Sequence, residues 1–336
     1  MSVPTVHHAA VARLHRSLAA LGLEPDALFE QVGLAAAHAR ATRAPREALL
    51  AAKAAAARAL DDPCLGYRLG ARASLDGFDL YGAAILHART LGEAIGVGAR
   101  YSAWWEQGAR VTLEHDAERL VIVYENPPMA DALAATIDAQ ESVVFLARMI
   151  VELCRGLSAP VELGCVGPRP RHDACRVGLD SLELRARFEQ PSWSVAIARA
   201  DLDAPLPGSH PAVGPLVHAH LDAQLEQLAP TLDLPARLAV QLRHGLRQGW
   251  GQAEVARALG VSPRKLQLEL QALGSSYSRE LARVREALAK QLLARPELAL
   301  KQIAAQLGFA ELASFSRFFR GQTGESPSEY RARQTG

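Results

Sequence analysis

Six side chains near the C-terminal end of the chain have the chemistry to bind a flat, charged partner. An arginine guanidinium or a glutamine amide can form two parallel hydrogen bonds with one planar edge, whereas lysine and arginine neutralise anions. Serine adds a small donor and acceptor. The six are Arg264, Lys265, Gln267, Ser314, Arg317 and Arg320.

These side chains follow a motif that the chain spells twice. Ala256 and Gly260 recur as Ala304 and Gly308, an offset of 48 residues for both members of the pair. Two helices that cross steeply across a short turn need a small residue where they approach, and a glycine where the first helix ends in a left-handed conformation. The pattern therefore predicts two helix-turn-helix units. They cover about 252–272 and 300–320.

The second helix of each predicted unit has an apolar and a polar face. Ser262 can cap the first of these helices, and Pro263 fits its first turn. The inward sets are Leu259, Val261, Leu266 and Leu270 in one unit, and Leu307, Phe309, Phe315 and Phe319 in the other. The outward sets are Arg264, Lys265, Gln267 and Leu268, and Glu311, Ser314, Arg317 and Arg320. Such outward faces suit the major groove of DNA, where arginine can bind guanine through two hydrogen bonds and glutamine can bind adenine.

The segment between the two units has a length that matches duplex DNA. The stretch SSYSRELARVREALAKQLL has roughly 19 residues and, as a helix, would be about 28 Å long. Successive major grooves on one face of DNA lie ~34 Å apart. Two units joined by this helix would read two stretches of duplex. The alternative for the region is a helical protein-interaction domain.

The last hundred residues resemble the DNA-binding domain of AraC/XylS-type bacterial transcription regulators. The resemblance rests on VARALGVSPRKLQ, IAAQLGF, SFSRFFR and TGESPSEYR. It implies that Arg264, Gln267 and Arg317 contact bases. It also implies that Lys301 and Arg320 contact phosphates. The chain departs from the family at Leu268 and Glu269, where basic residues are common, and at Ala310, where a capping serine or aspartate is common. These departures predict that the first recognition helix reads fewer bases than the second.

Charge is segregated along the chain although its net value is only +1. Residues 237–336 carry 16 Lys and Arg against 8 Asp and Glu, a balance of +8. Residues 1–236 carry 21 against 28, a balance of −7. A basic terminal domain behind an acidic one indicates a polyanionic partner for the former. The 49% hydrophobic and 22% charged composition is typical of a soluble globular protein.

The larger N-terminal part mixes two hydrophobic periods. Residues 6–60 have helical spacing, and two further helices are expected around 82–86 and 91–101. The stretch ARVTLEHDAERLVIVYENP alternates like a hairpin, ATIDAQESVVFLARMIVELCRG returns to a helical stripe, and strands follow in PVELGCVGPRP and LELRARFEQPSWSVAIARADL. The fold class expected is an α+β sensor domain followed by an all-α DNA-binding domain whose two helix-turn-helix units are joined by a long helix.

A cluster of proline and glycine between Pro205 and Pro215 indicates a domain boundary. The predicted division is a domain for effector binding and dimerisation over 1–206, a linker and connecting helix over 207–230, and the DNA-binding domain over 231–336.

The N-terminal part resembles the effector domain of the OruR/VirS-like subgroup of the same family, often labelled arabinose-binding. The resemblance rests on DPCLGYRLGARAS, LYGAAILHARTLGEAIGVGARY and FEQPSWSVAIARADLDAPLP. It implies an intracellular small-molecule effector, which the subgroup's label does not identify, since its members are associated with various compounds such as amino acids.

Aromatic side chains with a polar atom are natural pocket linings, and a charge could hold a zwitterion. The candidates for effector binding are Tyr81, Arg89, Tyr101, Trp104, Trp105, Glu106, Tyr124 and Trp193. The alternatives are that most of them are core residues and that the domain is only a dimerisation module.

An enzyme or a metal-dependent switch is the rival class for the N-terminal domain. The chain lacks G-x-S-x-G, a P-loop, H-E-x-x-H, and G-x-G-x-x-G after a strand. His8 and His15 share one helical face with no further ligands expected nearby, so a solvated face is favoured. The four cysteines lack zinc-like spacing, and we expect buried reduced thiols, with a Cys165–Cys175 pair as the alternative. We expect no enzyme activity, no metal and no cofactor.

Location and partners follow from the same reasoning. The N-terminal stretch lacks the unbroken apolar core of a signal peptide, and no run is long enough to span a bilayer, so a cytoplasmic protein without membrane contact is expected. The expected partners are double-stranded promoter or operator DNA, a small-molecule effector and a second copy of the chain as a homodimer, with RNA polymerase as a further candidate.

Overall fold

The structure is a computed structural model that divides into two compact units, Met1–Leu232 and Asp233–Gly336. The residues that the structure describes are 3–34, 42–115, 118–127, 129–154, 156–170, 184–210, 213–293, 295 and 297–335. No helix in these ranges has the length and apolar character needed to cross a bilayer.

Helices form most of the first unit. They are α1 His8–Ala19, α2 Pro25–Gln31, α3 Arg46–Ala59, α4 Leu65–Arg72, α5 Asp79–Leu86, α6 Leu91–Trp105, α7 Ala132–Leu153 and α8 Val213–Leu228. Side-chain caps fix the start of the two longest helices before α8. Thr90 Oγ1 accepts a hydrogen bond from the Glu93 backbone N–H at the start of α6. Asp131 accepts hydrogen bonds from two backbone N–H groups at the start of α7.

In the described part of the chain, the strands form one five-stranded sheet and one two-stranded ribbon. They are β1 Thr5–His7, β2 Arg43–Pro45, β3 Arg110–His115, β4 Arg119–Glu125, β5 Val161–Gly164, β6 Leu184–Arg187 and β7 Trp193–Ala198. The large sheet has the order β3-β4-β7-β5-β6, with β5 and β6 parallel and the other neighbours antiparallel. The hairpin predicted from alternation is confirmed as β3 and β4. The first unit is therefore the expected mixture of helices and sheet.

Helix α7 lies at the centre of the first unit. Its side chains Ile137, Val144 and Ile150 have no solvent exposure. Helix α4 approaches α7 through two glycines: a Cβ on Gly66 would lie 2.2 Å from the Ile137 carbonyl oxygen, and one on Gly70 would be similarly obstructed. Glycine therefore permits the close contact between the two helices.

The segment 207–230, predicted as a linker and connecting helix, contains α8. Its helix, α8, lies within the first compact unit. The Arg100 guanidinium donates to both carboxylate oxygens of Asp222, at 2.6 and 2.5 Å, and Leu221 and Leu225 are buried. An amphipathic helix with a buried apolar stripe is held by the surface that it covers, whatever the composition around it.

The proline-rich stretch before α8 also makes contacts. Pro205 forms a β-bridge with Thr90, and the Leu206 backbone N–H donates to the Arg89 carbonyl at 2.9 Å. The Gly208 carbonyl oxygen lies 3.1 Å from His87 Nδ1. Composition could not predict these contacts, because proline and glycine indicate a turn but do not determine whether that turn is exposed.

The second unit is helical throughout its described part. Its helices are α9 Leu234–Gln248, α10 Gln252–Ala258, α11 Pro263–Ala272, α12 Tyr277–Leu293, α13 Leu300–Gln306, α14 Leu312–Thr323 and α15 Pro327–Thr335. It has two small cores. Leu242, Leu266 and Leu270 belong to the first, and Ile303, Phe315 and Phe319 belong to the second. The long helix α12 contributes to both, with Val284 in the first core and Leu293 in the second.

Candidate functional site

Helices α10 and α11 form the first predicted helix-turn-helix unit. Helix α10 ends at a turn in which Gly260 has φ +72° and the Val261 N–H donates to the Ala256 carbonyl at 3.0 Å. Helix α11 then begins with a side-chain cap, because Ser262 Oγ accepts from the Lys265 N–H. Ala256 has no solvent exposure, which is the close approach that the small residue permits.

Helices α13 and α14 repeat this arrangement. Gly308 has φ +73°, and the Phe309 N–H donates to the Ala304 carbonyl at 3.0 Å. The N-cap of α14 is Glu311, which forms no side-chain capping hydrogen bond. The turn therefore has one residue more than in the first unit, which accounts for an offset of 48 before the turn and 49 after it.

The repeat extends to a pair of arginines that sequence reasoning missed. Arg237 on α9 donates to the Leu259 carbonyl at 2.6 Å, and Arg285 on α12 donates to the Leu307 carbonyl at 2.9 Å. The two arginines are also 48 residues apart, as are the two leucines. Each guanidinium thus satisfies a carbonyl at the end of a first helix, where the helix itself provides no donor. The sequence signal that could have identified them is the same offset of 48 residues, which relates the helix before the first helix-turn-helix unit to the helix before the second.

A glycine in a turn and a glycine inside a helix predict opposite effects for the same substitution to alanine. Gly308→Ala is expected to destabilise the second unit by about 1–2 kcal/mol, because a Cβ at positive φ is strained. Gly321→Ala, inside α14 with nothing within 4 Å of the new Cβ, is expected to stabilise it by about 0.5–1 kcal/mol. Hydrogen exchange of peptides from 233–335, read by mass spectrometry, measures both. Changes of the same sign would contradict this account of the turn.

The second helix of each unit, α11 or α14, is called its recognition helix below. Both recognition helices bury one face and expose the predicted DNA-contacting residues on the other. Leu266, Leu270, Phe315 and Phe319 are 0–1% exposed. The side chains on the opposite faces remain accessible, with Ser314 half-buried. The exposed ones are Arg264, Lys265, Gln267, Arg317 and Arg320, together with Lys301 on α13.

Hydrogen bonds and ion pairs orient several of these side chains. Arg317 Nη2 donates to Ser314 Oγ at 3.2 Å, one turn earlier on the same helix. Lys265 lies 3.7 Å from Glu269, and Arg320 lies 3.3 Å from Glu329. Hydrogen bonds from Ser326, and then the Arg320 pair, lower the pKa of Glu329. Exposed pairs of this kind are weak, so a phosphate could displace them at little cost.

Four of the predicted effector residues lie around α6 and α8. Tyr81 donates to the Gly98 carbonyl at 2.8 Å, and Trp105 stacks on Phe78 with ring centroids 4.4 Å apart. Two of the four contact α8. Tyr101 donates to Asp222 at 2.9 Å, and Trp104 Nε1 donates to Gln224 at 2.7 Å.

Two further candidates belong to a buried ionic network between α3, α7 and β4. Arg46 Nε donates to Glu106 at 2.6 Å and Arg46 Nη2 donates to Asp138 at 3.1 Å, while Tyr124 donates to Asp138 at 2.7 Å. Lys53 Nζ lies 2.5 Å from Asp138 and 2.9 Å from Glu141. Sequence reasoning did not include Arg46, Lys53, Asp138 or Glu141. The available signal was two acidic residues on the apolar stripe of α7.

Burial and neighbouring charges shift the pKa values of Asp138 and Glu106 in opposite directions. Burial would raise the pKa of Asp138, but Lys53 and Arg46 outweigh it and hold the pKa below its ordinary value. Burial, with Asp138 nearby, raises the pKa of Glu106. Burial also raises the pKa of Tyr124, so its hydroxyl stays a donor. The Glu106 carboxyl group, predicted to hold a zwitterion, already accepts a hydrogen bond from Arg46 inside the protein.

The last two candidates, Arg89 and Trp193, have other neighbours. Arg89 forms an ion pair with Glu93 at 3.2 Å, and Trp193 begins β7, where it lies opposite Tyr124 on β4. The eight candidates are thus divided among several places in the first unit.

The histidine and cysteine expectations need correction. His15 pairs with Asp26 at 3.0 Å, whereas His8 lies with His7 and Asp79 in a group whose ligand atoms are within 4.8 Å of one another. Burial, and then His8, lower the pKa of His7 to about 4. These histidines begin α1, where the helix dipole disfavours a cation.

Cys154 and Cys165 are buried free thiols, as expected, but Cys64 is disulfide-bonded. Cys175 lies outside the described residues.

Comparisons with known proteins match both units. Residues 22–206 match the family described as the arabinose-binding domain of AraC transcription regulator, and residues 255–333 match a helix-turn-helix domain family. The chain is 31% identical over 278 residues to the ornithine utilization regulator of Pseudomonas aeruginosa, covering 80% of this chain and 79% of the relative. It is 30% identical over 154 residues to the regulator VirS of Mycobacterium tuberculosis, covering 46% of this chain and 45% of the relative.

A solved structure similar to this chain is that of the transcriptional regulator CdpR from Pseudomonas aeruginosa. The alignment covers 92% of this chain and 98% of that chain, at 21% identity and a TM-score of 0.45. The matched domains and curated relatives are transcription regulators rather than enzymes. Because the N-terminal match alone spans more than half of the chain and a helix-turn-helix match follows it, this chain belongs to the AraC family of helix-turn-helix transcription regulators.

Proposed function

We propose that this regulator reads duplex DNA with both recognition helices, and that a small molecule bound to the first unit controls its activity. The observation that carries the DNA-binding part is the pair of exposed polar faces on helices whose opposite faces are fully buried. Arg264, Gln267 and Arg317 are assigned to base edges. Lys301 and Arg320 are assigned to phosphates, with Lys265 and Ser314 beside them. The basic balance of the domain supplies the attraction to phosphate.

Control by a small molecule is supported by the position of α8. This helix immediately precedes the second unit in the chain and is held to the first by Asp222 and Gln224, through Arg100, Tyr101 and Trp104. Two of these residues are predicted effector contacts. A compound that binds beside Tyr101 or Trp104 would change their hydrogen bonds to Asp222 and Gln224, which hold α8 in place. A ligand shifts such an equilibrium only through different affinities for the two states.

Amino acids are the effector class that we propose to screen first. One relative is named for ornithine utilization, and its match covers four-fifths of this chain. An amino acid offers a zwitterion for hydrogen bonding beside aromatic rings. The structure also favours a second possibility: the polar atoms of Tyr81, Tyr101 and Trp104 already have partners in the protein. A constitutive regulator with a dimerisation module is therefore the other candidate, and a homodimer and contact with RNA polymerase stay predictions.

A ligand screen distinguishes a regulator controlled by an amino acid from a constitutive regulator. We expect an effector among ornithine, arginine, lysine and shorter amino acids to raise the melting temperature, since a ligand at 100 times its Kd adds about 2.7 kcal/mol to stability. The same compound is expected to change affinity for duplex DNA by about 5- to 100-fold, measured by fluorescence anisotropy on the upstream region of the regulator's own gene.

Two variants identify the route of control. Trp104→Phe removes the N–H that donates to Gln224 but retains an aromatic ring. We expect the compound still to raise the melting temperature of this variant but to lose most of its effect on DNA affinity. Trp250→Phe, in the second unit, is the matched control and should respond like the wild type. If no compound changes either the melting temperature or the affinity for DNA, the chain is a constitutive regulator and control by an effector is refuted.

A further inference from the structure

Leu268 is a large apolar side chain on the exposed face of the first recognition helix. It is 57% exposed, although Leu266 and Leu270 on either side of it are buried in the core. Exposure of a single leucine is common and carries no conclusion by itself. What distinguishes Leu268 is the residue that occupies the equivalent position in the second helix-turn-helix unit.

The two recognition helices can be aligned on their cores. The N-caps Ser262 and Glu311 are 49 residues apart, and so are the buried pairs Leu266 with Phe315 and Leu270 with Phe319. The same offset of 49 residues makes Leu268 equivalent to Arg317, the residue assigned to a base edge in the second helix-turn-helix unit. The chain therefore has an apolar side chain in one unit where it has a guanidinium in the other.

The neighbours of Leu268 on the same face are polar and exposed. Arg264 lies one turn before it, Gln267 lies beside it, and Gln271 lies almost one turn after it. Lys265 and Glu269 pair with each other at 3.7 Å along one side. A surface for docking another protein would require a contiguous apolar patch, which these neighbours interrupt.

A leucine in the major groove can recognise only one feature of the bases. It has no donor or acceptor, so against guanine or adenine it would leave polar edge atoms without partners, at a cost in affinity. Thymine alone presents a methyl group in the major groove, and contact with it removes apolar surface of both groups from water.

We propose that Leu268 reads the C5-methyl group of a thymine, and that it thereby gives the first helix-turn-helix unit a preference for A·T pairs at the position where the second helix-turn-helix unit reads guanine through Arg317. This inference rests on the proposed reading of DNA by both recognition helices. Gln267, which can bind adenine through two hydrogen bonds, fits the same preference.

The test begins with a duplex selected from a random library by the full wild-type chain. Each thymine of that duplex is then replaced singly by deoxyuridine, which removes only the methyl group. We expect one replacement, within the bases contacted by the first helix-turn-helix unit, to weaken binding about fourfold. This is the effect of losing one buried methyl group. With Leu268→Ala the same replacement should have almost no effect, because the leucine side chain that contacts the methyl group is absent. Leu268 is exposed, so neither this variant nor the next should disturb the fold.

A second variant gives a gain of function. Library selection with Leu268→Arg should replace the thymine by guanine at that one position, since the variant then has the side chain of Arg317 in the equivalent place. If deoxyuridine has no effect anywhere, or if wild type and Leu268→Ala respond equally, the thymine contact is refuted while DNA reading stands. If the wild type enriches no duplex at all, the proposed function fails and the role of Leu268 fails with it.

Discussion

Replacing Arg317 with alanine is expected to weaken binding to the selected duplex by about 10- to 100-fold, because a guanidinium bound to guanine through two hydrogen bonds contributes about 1–3 kcal/mol of discrimination. Arg317 is exposed, and its side chain donates a hydrogen bond to Ser314 on the same helix, so its loss should leave the second core intact. Preference for the bound base should be lost together with affinity. Fluorescence anisotropy against the selected duplex and single-base variants of it measures both.

A variant that removes the same charge elsewhere gives the control. Arg283 lies exposed on α12, in an ion pair with Glu280 and outside both recognition helices. Arg283→Ala should weaken binding to all sequences by a similar small factor, since it removes only general attraction to phosphate. If Arg317→Ala behaved like Arg283→Ala, with base preference unchanged, Arg317 would not be a base-reading residue.

The second large effect is expected in the first unit, where Lys53→Met should lower the free energy of unfolding by about 3–5 kcal/mol. Lys53 is 3% exposed and lies within 2.9 Å of carboxylate oxygens on both Asp138 and Glu141. Methionine retains much of the volume but leaves two buried carboxylates with fewer cationic partners. Urea denaturation followed by tryptophan fluorescence is a suitable measurement, since Trp104, Trp105 and Trp193 lie in this unit.

The control for Lys53→Met is an ion pair on the surface of the same helix bundle. Glu152 pairs with Arg148 one turn away on α7, and its side chain is 52% exposed. Glu152→Gln should change stability by less than about 0.5 kcal/mol. A change below about 1 kcal/mol in Lys53→Met would mean that water or a proton replaces the ammonium, contrary to the buried network described above.

The DNA-binding unit could be predicted from sequence in most of its architecture because its determinants are local. Ala256, Gly260 and the apolar stripe that includes Leu266 all lie within about three helical turns of one another. The hairpin of the first unit was predictable for the same reason, since alternation and a turn are adjacent in the chain.

What could not be predicted depends on residues far apart in the chain. Lys53 and Asp138 are 85 residues apart, and nothing near either one indicates that they meet. The partners of the aromatic candidates are equally distant: Trp104 and Gln224 are 120 residues apart. Residue type suggested that these side chains had polar atoms available for a ligand, but availability is decided by tertiary contacts.

Helix α12 restricts how the base preference of this regulator can change over evolutionary time. The helix contributes Val284 to one core and Leu293 to the other, while Leu288 packs against both. One residue inserted between them would turn one core by about 100° relative to the other and break the packing of at least one. Under the proposed reading of DNA by both recognition helices, the number of base pairs between their two sites is therefore a nearly invariant property of the fold. New target promoters would be acquired by exchanging side chains such as Leu268 and Arg317, while the spacing of the recognised bases is inherited unchanged.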